Sequence, residues 1–312
     1  MAVVSVNRVD YPLAVFAAWL CGASVNLLDP CVGREVLEEQ LRLVPARMVV
    51  TTPQFLDKVS SALLRISHLG TVVFLYDTEA GGGAATDDDL VLARIVEGSG
   101  SAAANLVPCP STNMDDLSAT LWSSGSTGKS KGIQLAFRTW HRNLGSGTNK
   151  GIQSALVPWV NSSPTFNYVL GTWMFHIGGF YFSLYNIGRG QVVFIHPDQM
   201  SPSLVLATVD QYKSNPVMLS FHDIVQLSNT APDGSLDLSS VDSILPLGSS
   251  VPVNTQSKLQ RLFPNLKRMA QAYGATEVGG LVTFTVDEQY SDSMGPAVVN
   301  TKVLYPLKKF RP

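Results

Sequence analysis

Residues 123 to 132 read Ser-Ser-Gly-Ser-Thr-Gly-Lys-Ser-Lys-Gly, a run of hydroxyls, glycines and ammonium groups between two apolar segments, Leu121-Trp122 and Ile133-Gln134-Leu135. Glycine lets backbone N–H groups close on an anion, hydroxyls add donors, and lysine screens the accumulating charge. Such a run can hold a polyphosphate. A flexible linker also uses Ser and Gly, but rarely two lysines in fixed register between apolar flanks. Gly128-Lys129-Ser130 imitates the end of the G-x-x-x-x-G-K-[ST] loop, yet Ser123 stands where its first glycine belongs. Beyond Ser130 the chain continues as a β-like apolar run ending near Phe137, not as the helix whose N-terminus that loop requires. The expectation is a phosphate-gripping loop of another kind.

The elements that must position this loop alternate between helix and strand. Residues 11 to 21 read as a helix, 24 to 28 as a strand, 34 to 43 as an amphipathic helix, 47 to 51 as a strand, 53 to 65 as a helix and 71 to 76 as a continuously apolar strand. The second half repeats the pattern. Strands are expected over 191 to 195, 217 to 220, 243 to 247 and 267 to 270, with helices over 201 to 213 and 254 to 263. Glycines 81 to 83 and aspartates 87 to 89 mark a polar loop, its carboxylates read as a solvated surface and not as a metal site. The class is α/β. Ligands in open α/β sheets bind beyond the carboxyl ends of the strands, where Phe221, Gly248 and Tyr273 fall.

The loop resembles the phosphate-binding signature of the adenylate-forming (AMP-binding) superfamily, which includes acyl-CoA synthetases, 4-coumarate–CoA ligases and luciferases. Further blocks resemble the family in order. Residues 19 to 30 are similar to its helix-to-strand segment. Residues 174 to 179, Met-Phe-His-Ile-Gly-Gly, are similar to its P-[LM]-F-H block, with Trp173 where proline is usual. Residues 247 to 252 match a glycine turn, and residues 271 to 277, Gln-Ala-Tyr-Gly-Ala-Thr-Glu, match the Y-G-x-T-E block. Residues 294 to 303 resemble a later stretch.

The resemblance implies two stacked α/β subdomains with mostly parallel sheets flanked by helices, as in the family's large domain. The first, residues 1–140, would end in the phosphate loop; the second, 141–312, would hold the acyl and adenylate pocket. It implies ATP-dependent activation of a small-molecule carboxylic acid to an acyl-adenylate, then to a coenzyme A thioester. Ser123, Ser124, Gly125, Ser126, Thr127 and Gly128 with Lys131 would cradle the β- and γ-phosphates. Thr276 would bond the α-phosphate and Glu277 would bind Mg²⁺. Gly248, Ser249 and Ser250 with Gln271, Ala272, Tyr273 and Gly274 would frame the nucleoside. His176 would stand by the acid's carboxylate, and Phe221, His222 and Gly248 would line the acyl pocket. The amino end reads as shortened. The T-G-D block, the hinge arginine and the small carboxyl-terminal domain with its lysine are not found, so very weak adenylation is expected of this chain alone.

Taken by residue type, each assignment has a plainer counterpart. His176 in an apolar run is equally a hydrogen-bonded core histidine, Tyr273 and Phe221 are core aromatics by default, and Thr276-Glu277 is also a helix-start pair. A non-catalytic nucleotide- or acyl-binding module derived from such a ligase is the alternative function. Composition narrows the classes further. The chain has 312 residues, 45% hydrophobic and 15% charged, enough for a large core, and its net charge of −2 gives no footprint for nucleic acid. Cys21, Cys31 and Cys109 show no C-x-x-C spacing and read as buried small hydrophobes of a reducing compartment, the cytoplasm by default. The remaining histidines, His68, His141, His196 and His222, have no metal-ligand spacing, and neither H-E-x-x-H nor G-x-S-x-G occurs. The apolar stretches 13 to 28 and 168 to 187 carry polar interruptions that suit a core better than lipid, so no stable membrane insertion is expected. Residues 308 to 312 form no peroxisomal signal, although a longer native form is compatible with that compartment. The apolar pocket residues favour a hydrophobic or aromatic acid.

Overall fold

The structure, a computed structural model, describes residues 1–66, 72–75, 113–123, 129–144, 167–188, 190–195, 201–231, 234–287, 295 and 297. The loop centre Ser124 to Gly128, the glycine and aspartate runs at 81–83 and 87–89, His68, Cys109, His196 and residues 298–312 lie outside them.

Strands β1 (Ala2–Val4), β2 (Val25–Leu28), β3 (Met48–Thr51), β4 (Val72–Leu75), β5 (Leu117–Ser123) and β6 (Lys131–Ala136) form one sheet in the order β4-β3-β1-β2-β5-β6. All its pairs are parallel except β5 with β6. Strands β7 (Asn167–Gly171), β8 (Val192–Ile195), β9 (Val217–Ser220), β10 (Ser243–Leu247), β11 (Arg268–Ala275) and β12 (Gly280–Asp287) form a second sheet in the order β12-β11-β10-β9-β7-β8. There β9, β10 and β11 run parallel and β12 runs antiparallel to β11. The helices are α1 (Tyr11–Leu20), α2 (Arg34–Leu43), α3 (Leu56–Arg65), α4 (Phe137–Leu144), α5 (Ile177–Ile187), α6 (Pro202–Tyr212), α7 (Phe221–Ser228) and α8 (Val253–Leu262). The chain divides into two compact units, Met1–His141 with Leu170–Met200, and Arg142–Val169 with Ser201–Pro312.

In the first unit β1 and β2 are buried along their whole length, as parallel strands covered on both faces must be. Helices α2 and α3 lay one apolar face against them: Leu37, Leu41, Val59, Ala62 and Leu63 join Ala2, Val4, Leu28 and Val49 in one cluster. The N-cap of α2 is Gly33, which offers no side-chain acceptor. Glycine in place of a side-chain cap costs only about a few tenths of a kcal/mol, whereas burying Leu37 and Leu41 contributes roughly 2 kcal/mol each, so packing decides that α2 forms. In the second unit Ser201 and Ser220 cap α6 and α7, accepting from Leu204 N and Asp223 N.

Most sequence boundaries hold within one or two residues, and the differences have local causes. The stretch expected as a helix over 53 to 65 is a 3₁₀ turn, Pro53–Phe55, followed by α3. The short strand expected at 267 to 270 runs on to Ala275 because β12 pairs with it as far as Gly280. The apolar stretch 168 to 187 becomes the end of β7 and helix α5, whose residues from Gly179 to Asn186 are all buried. A helix enclosed all round shows no apolar periodicity. Among the described residues no helix is long and apolar enough to cross a membrane. Cys21 and Cys31 are exposed, against the expectation of buried small hydrophobes, because Cys21 sits in the turn after α1 and Cys31 in the connection between β2 and α2.

Candidate functional site

In the first unit, β1, β2 and β5 run parallel and end together, delivering Asn7, Asp29 and Ser123 to the same end of the sheet. Ser123 pairs with Lys131 across the β5–β6 ladder, so that rung fixes the two stems of the loop. Ser118 pins the hairpin: its Oγ donates to Leu135 O at 2.6 Å and accepts from Trp140 Nε1 at 2.7 Å. The returning stem also meets α2, where the buried Gln40 donates Nε2–H to Ser130 Oγ at 3.3 Å. The Lys131 ammonium is exposed and makes no ion pair among the described residues.

His176 is the N-cap residue of α5. Its N–H donates to Trp173 O at 3.1 Å, its carbonyl accepts from Phe180 N at 2.9 Å, and its ring centroid lies 4.7 Å from that of Phe175. The ring is exposed and makes no hydrogen bond among the described residues, which removes the core-histidine reading. Desolvation nevertheless pulls its pKa below the ordinary histidine value, with the Asp29 carboxylate pulling the other way. The lowered pKa favours the neutral imidazole at pH 7.

The segment before His176 is held by a residue that motif reading passed over. Asn7, 3% exposed, donates Nδ2–H to Thr172 O at 2.9 Å, and its Oδ1 accepts from Met174 N at 2.7 Å. Behind it, Gly179 packs so tightly that a Cβ would lie 2.1 Å from Trp173 O. Only glycine fits there.

In the second unit the carboxyl ends of β9, β10 and β11 form one edge. The last residue of β9, Ser220, caps α7, and Phe221 and His222 open that helix. Phe221 is half-buried; His222 is exposed, its Nε2 2.9 Å from Gln226 Nε2. After β10, Gly248 turns the chain with φ of +95° and is followed by exposed Ser249 and Ser250. Along β11, Gln271 is buried, Ala272 half-buried, and Tyr273 55% exposed, so Tyr273 is no core aromatic. The register with β12 slips between Tyr273 and Gly274. A Cβ on Gly274 would lie 2.6 Å from Gly280 O, so glycine is required by the close approach of β12.

Beyond this bulge the chain enters a 3₁₀ turn, Thr276–Val278, closed by Gly279 N donating to Thr276 O at 3.0 Å. Asn143 braces the turn, its Nδ2 donating to Gly279 O at 3.0 Å. Thr276 is half-buried, and the exposed Glu277 carboxylate meets no cation among the described residues. No group of three or more potential metal ligands occurs among the described residues. A lone carboxylate suits Mg²⁺, which is held by one or two carboxylates together with substrate phosphates and water, and does not suit a protein-caged metal. The edge thus offers an aromatic face, exposed hydroxyls and one free carboxylate.

The profile of the AMP-binding enzyme family matches residues 1–304. The chain belongs to that family. A 4-coumarate–CoA ligase-like protein (number 9) of Arabidopsis thaliana is 25% identical over 278 residues, 89% of this chain and 45% of the relative. Among solved structures, the luciferase-like enzyme of the mealworm Zophobas morio superposes with a TM-score of 0.78 at 21% identity, over 95% of this chain and 66% of that one. The o-succinylbenzoate–CoA synthetase of Bacillus subtilis, solved with ATP and magnesium, gives 0.66 at 18% identity over 98% and 58%. The chain spans about half the length of the curated relatives it matches. The fold expected from the resemblance, α/β with mostly parallel sheets flanked by helices, is the one observed. Membership of the AMP-binding enzyme family does not favour a non-catalytic module.

Proposed function

We propose that the chain takes part in ATP-dependent activation of a carboxylic acid. The carboxylate oxygen attacks the α-phosphorus of ATP and pyrophosphate leaves; the thiol of coenzyme A then attacks the acyl carbon of the adenylate, forming the thioester and releasing AMP. The observation that carries this reading is the single sheet edge in the second unit, where the ends of β9, β10 and β11 present Phe221, Gly248, Tyr273, Thr276 and Glu277 together. In this reading Tyr273 stacks on the adenine, with Gln271, Ala272 and Gly274 and the turn Gly248, Ser249 and Ser250 framing the nucleoside. The Thr276 hydroxyl donates to the α-phosphate, and Glu277 holds Mg²⁺, which when bound neutralises phosphate charge. Ser123, Ser124, Gly125, Ser126, Thr127 and Gly128, with the free Lys131 ammonium, hold the outer phosphates.

A neutral His176 donates a hydrogen bond to the acid's carboxylate. Phe221, His222 and Gly248 line the acyl side and suit a hydrophobic or aromatic acid. Residues 1–140 supply the phosphate loop and residues 141–312 the acyl and adenylate pocket. The cytosol is the proposed compartment, with the peroxisome open to a longer form.

The test is acid-dependent exchange of labelled pyrophosphate into ATP across a panel of aromatic and long-chain acids. Exchange slower than that of a whole ligase is expected, because the chain spans about half of its relatives. Glu277→Gln should lower the exchange rate on the order of 100-fold while leaving the fold intact. Exchange that is independent of added acid, or indifferent to Glu277→Gln, would sink the reading.

A further inference from the structure

We infer that Asn7 is the positioning residue of His176, a remote side-chain clamp that sets where the imidazole meets the acid. This rests on the proposal that His176 faces the acid's carboxylate.

Asn7 lies just beyond the carboxyl end of β1, an inner strand of the first sheet. Its amide serves residues 172 and 174 as the backbone of a neighbouring strand would, donating to one carbonyl and accepting from the next but one N–H. Only a primary amide offers both groups at that spacing. Aspartate lacks the donor, leucine lacks both, and glutamine is longer by one methylene. One residue, Phe175, separates Met174 from His176, and the Trp173–Met174 peptide just before it is held on both sides: its N–H donates to Asn7 Oδ1, and its carbonyl accepts from His176 N with Gly179 close against it. A displacement at Thr172 or Met174 therefore reaches His176 with little slack. Helix α5, buried from Gly179 to Asn186, is held by its own packing, so the clamp directs the entry to the helix and does not make the helix.

The test uses the whole chain with Asn7→Leu, which keeps the branched shape and lacks both hydrogen bonds, and Asn7→Ser, which avoids the crowding that the bulkier leucine brings. Imidazole ¹⁵N–¹H spectra, with the His176 signals assigned by their loss in His176→Gln, are read beside thermal melts. Acid and ATP dependences of pyrophosphate exchange are read on the same samples. The expected result is a folded variant whose His176 signals move and titrate closer to an ordinary histidine while those of His141 and His222 stay. KM for the acid should rise on the order of tenfold to a hundredfold with KM for ATP unchanged. A folded variant with unmoved His176 signals overturns the inference, and so does failure of both variants to fold, which would make Asn7 a support of the whole unit. The two ideas part cleanly. If wild-type protein shows no acid-dependent exchange but the His176 signals still move, the functional reading falls and the clamp stands.

Discussion

The two units hold their candidate residues by different means. In the first, remote polar side chains do the holding: Asn7 reaches Thr172 and Met174 across more than 160 residues of sequence, Ser118 ties Leu135 to Trp140, and Gln40 reaches Ser130. In the second, the backbone does most of it: a positive φ at Gly248, a register slip at Tyr273, a close approach at Gly274 and a 3₁₀ turn at Thr276, the last braced by the Asn143 side chain. A backbone device is local, so it tolerates no side chain at one position and many around it. A clamp is distributed and loses its effect when either partner changes.

The sharpest way to break this contrast is at Gly274. An added methyl meets the carbonyl oxygen of Gly280, an atom on a paired strand that cannot swing away. Gly274→Ala should cost about 3 kcal/mol, the upper end for overpacking. Urea denaturation measures it, and a loss well under 1 kcal/mol would mean that β12 yields and the backbone device is soft.

Ser118→Ala tests the other side of the comparison. It leaves the backbone alone and removes a buried hydroxyl with a partner on each side, so the Trp140 N–H and one acceptor site of the Leu135 carbonyl lose their bonds. The expected cost is about 2 kcal/mol, within the range for stranded buried polar groups and smaller than at Gly274. Equal denaturation midpoints for wild type and Ser118→Ala would show that the β5–β6 hairpin needs no such pin.

The same contrast explains why some devices are legible in the sequence and others are not. Backbone devices leave glycines in short blocks, so Gly248 and the Tyr273 to Glu277 run stand out, and the strands that deliver them read as apolar segments between turn residues. Clamps leave only an ordinary asparagine or serine. Asn7 is indistinguishable by type from any polar residue after a strand, and β1, with three residues, is too short to show a period. Helix α5 is opaque for a third reason, its burial on all sides. His176 can be singled out by its block, but its open ring with crowded surroundings is a property of tertiary structure.

The smallest expected effect compares the two ends of one sheet. Near the amino ends of β9 and β10, Lys213 bridges Asp210 at 3.1 Å and Asp237 at 3.0 Å, while the carboxyl ends carry the candidate site and Glu277, which meets no cation among the described residues. The Asp237 carboxyl is pulled from 3.8 to about 2, first by the hydrogen bond from Ser239, then by Lys213. Because the folded value is the lower one, this carboxylate stabilises the fold above pH 4 and loses its contribution as the pH falls from about 4 toward 2. Asp210 is shifted in the same direction, mainly by Lys213, so the two carboxylates lose their effect together. All three groups are solvent-exposed, so screening keeps the effect small. Asp237→Asn should flatten the acid limb of a Tm-against-pH curve between pH 4 and 2 and leave exchange at pH 7 unchanged. An exchange rate that falls with Asp237→Asn would mean the amino ends of these strands serve the site as well as the fold.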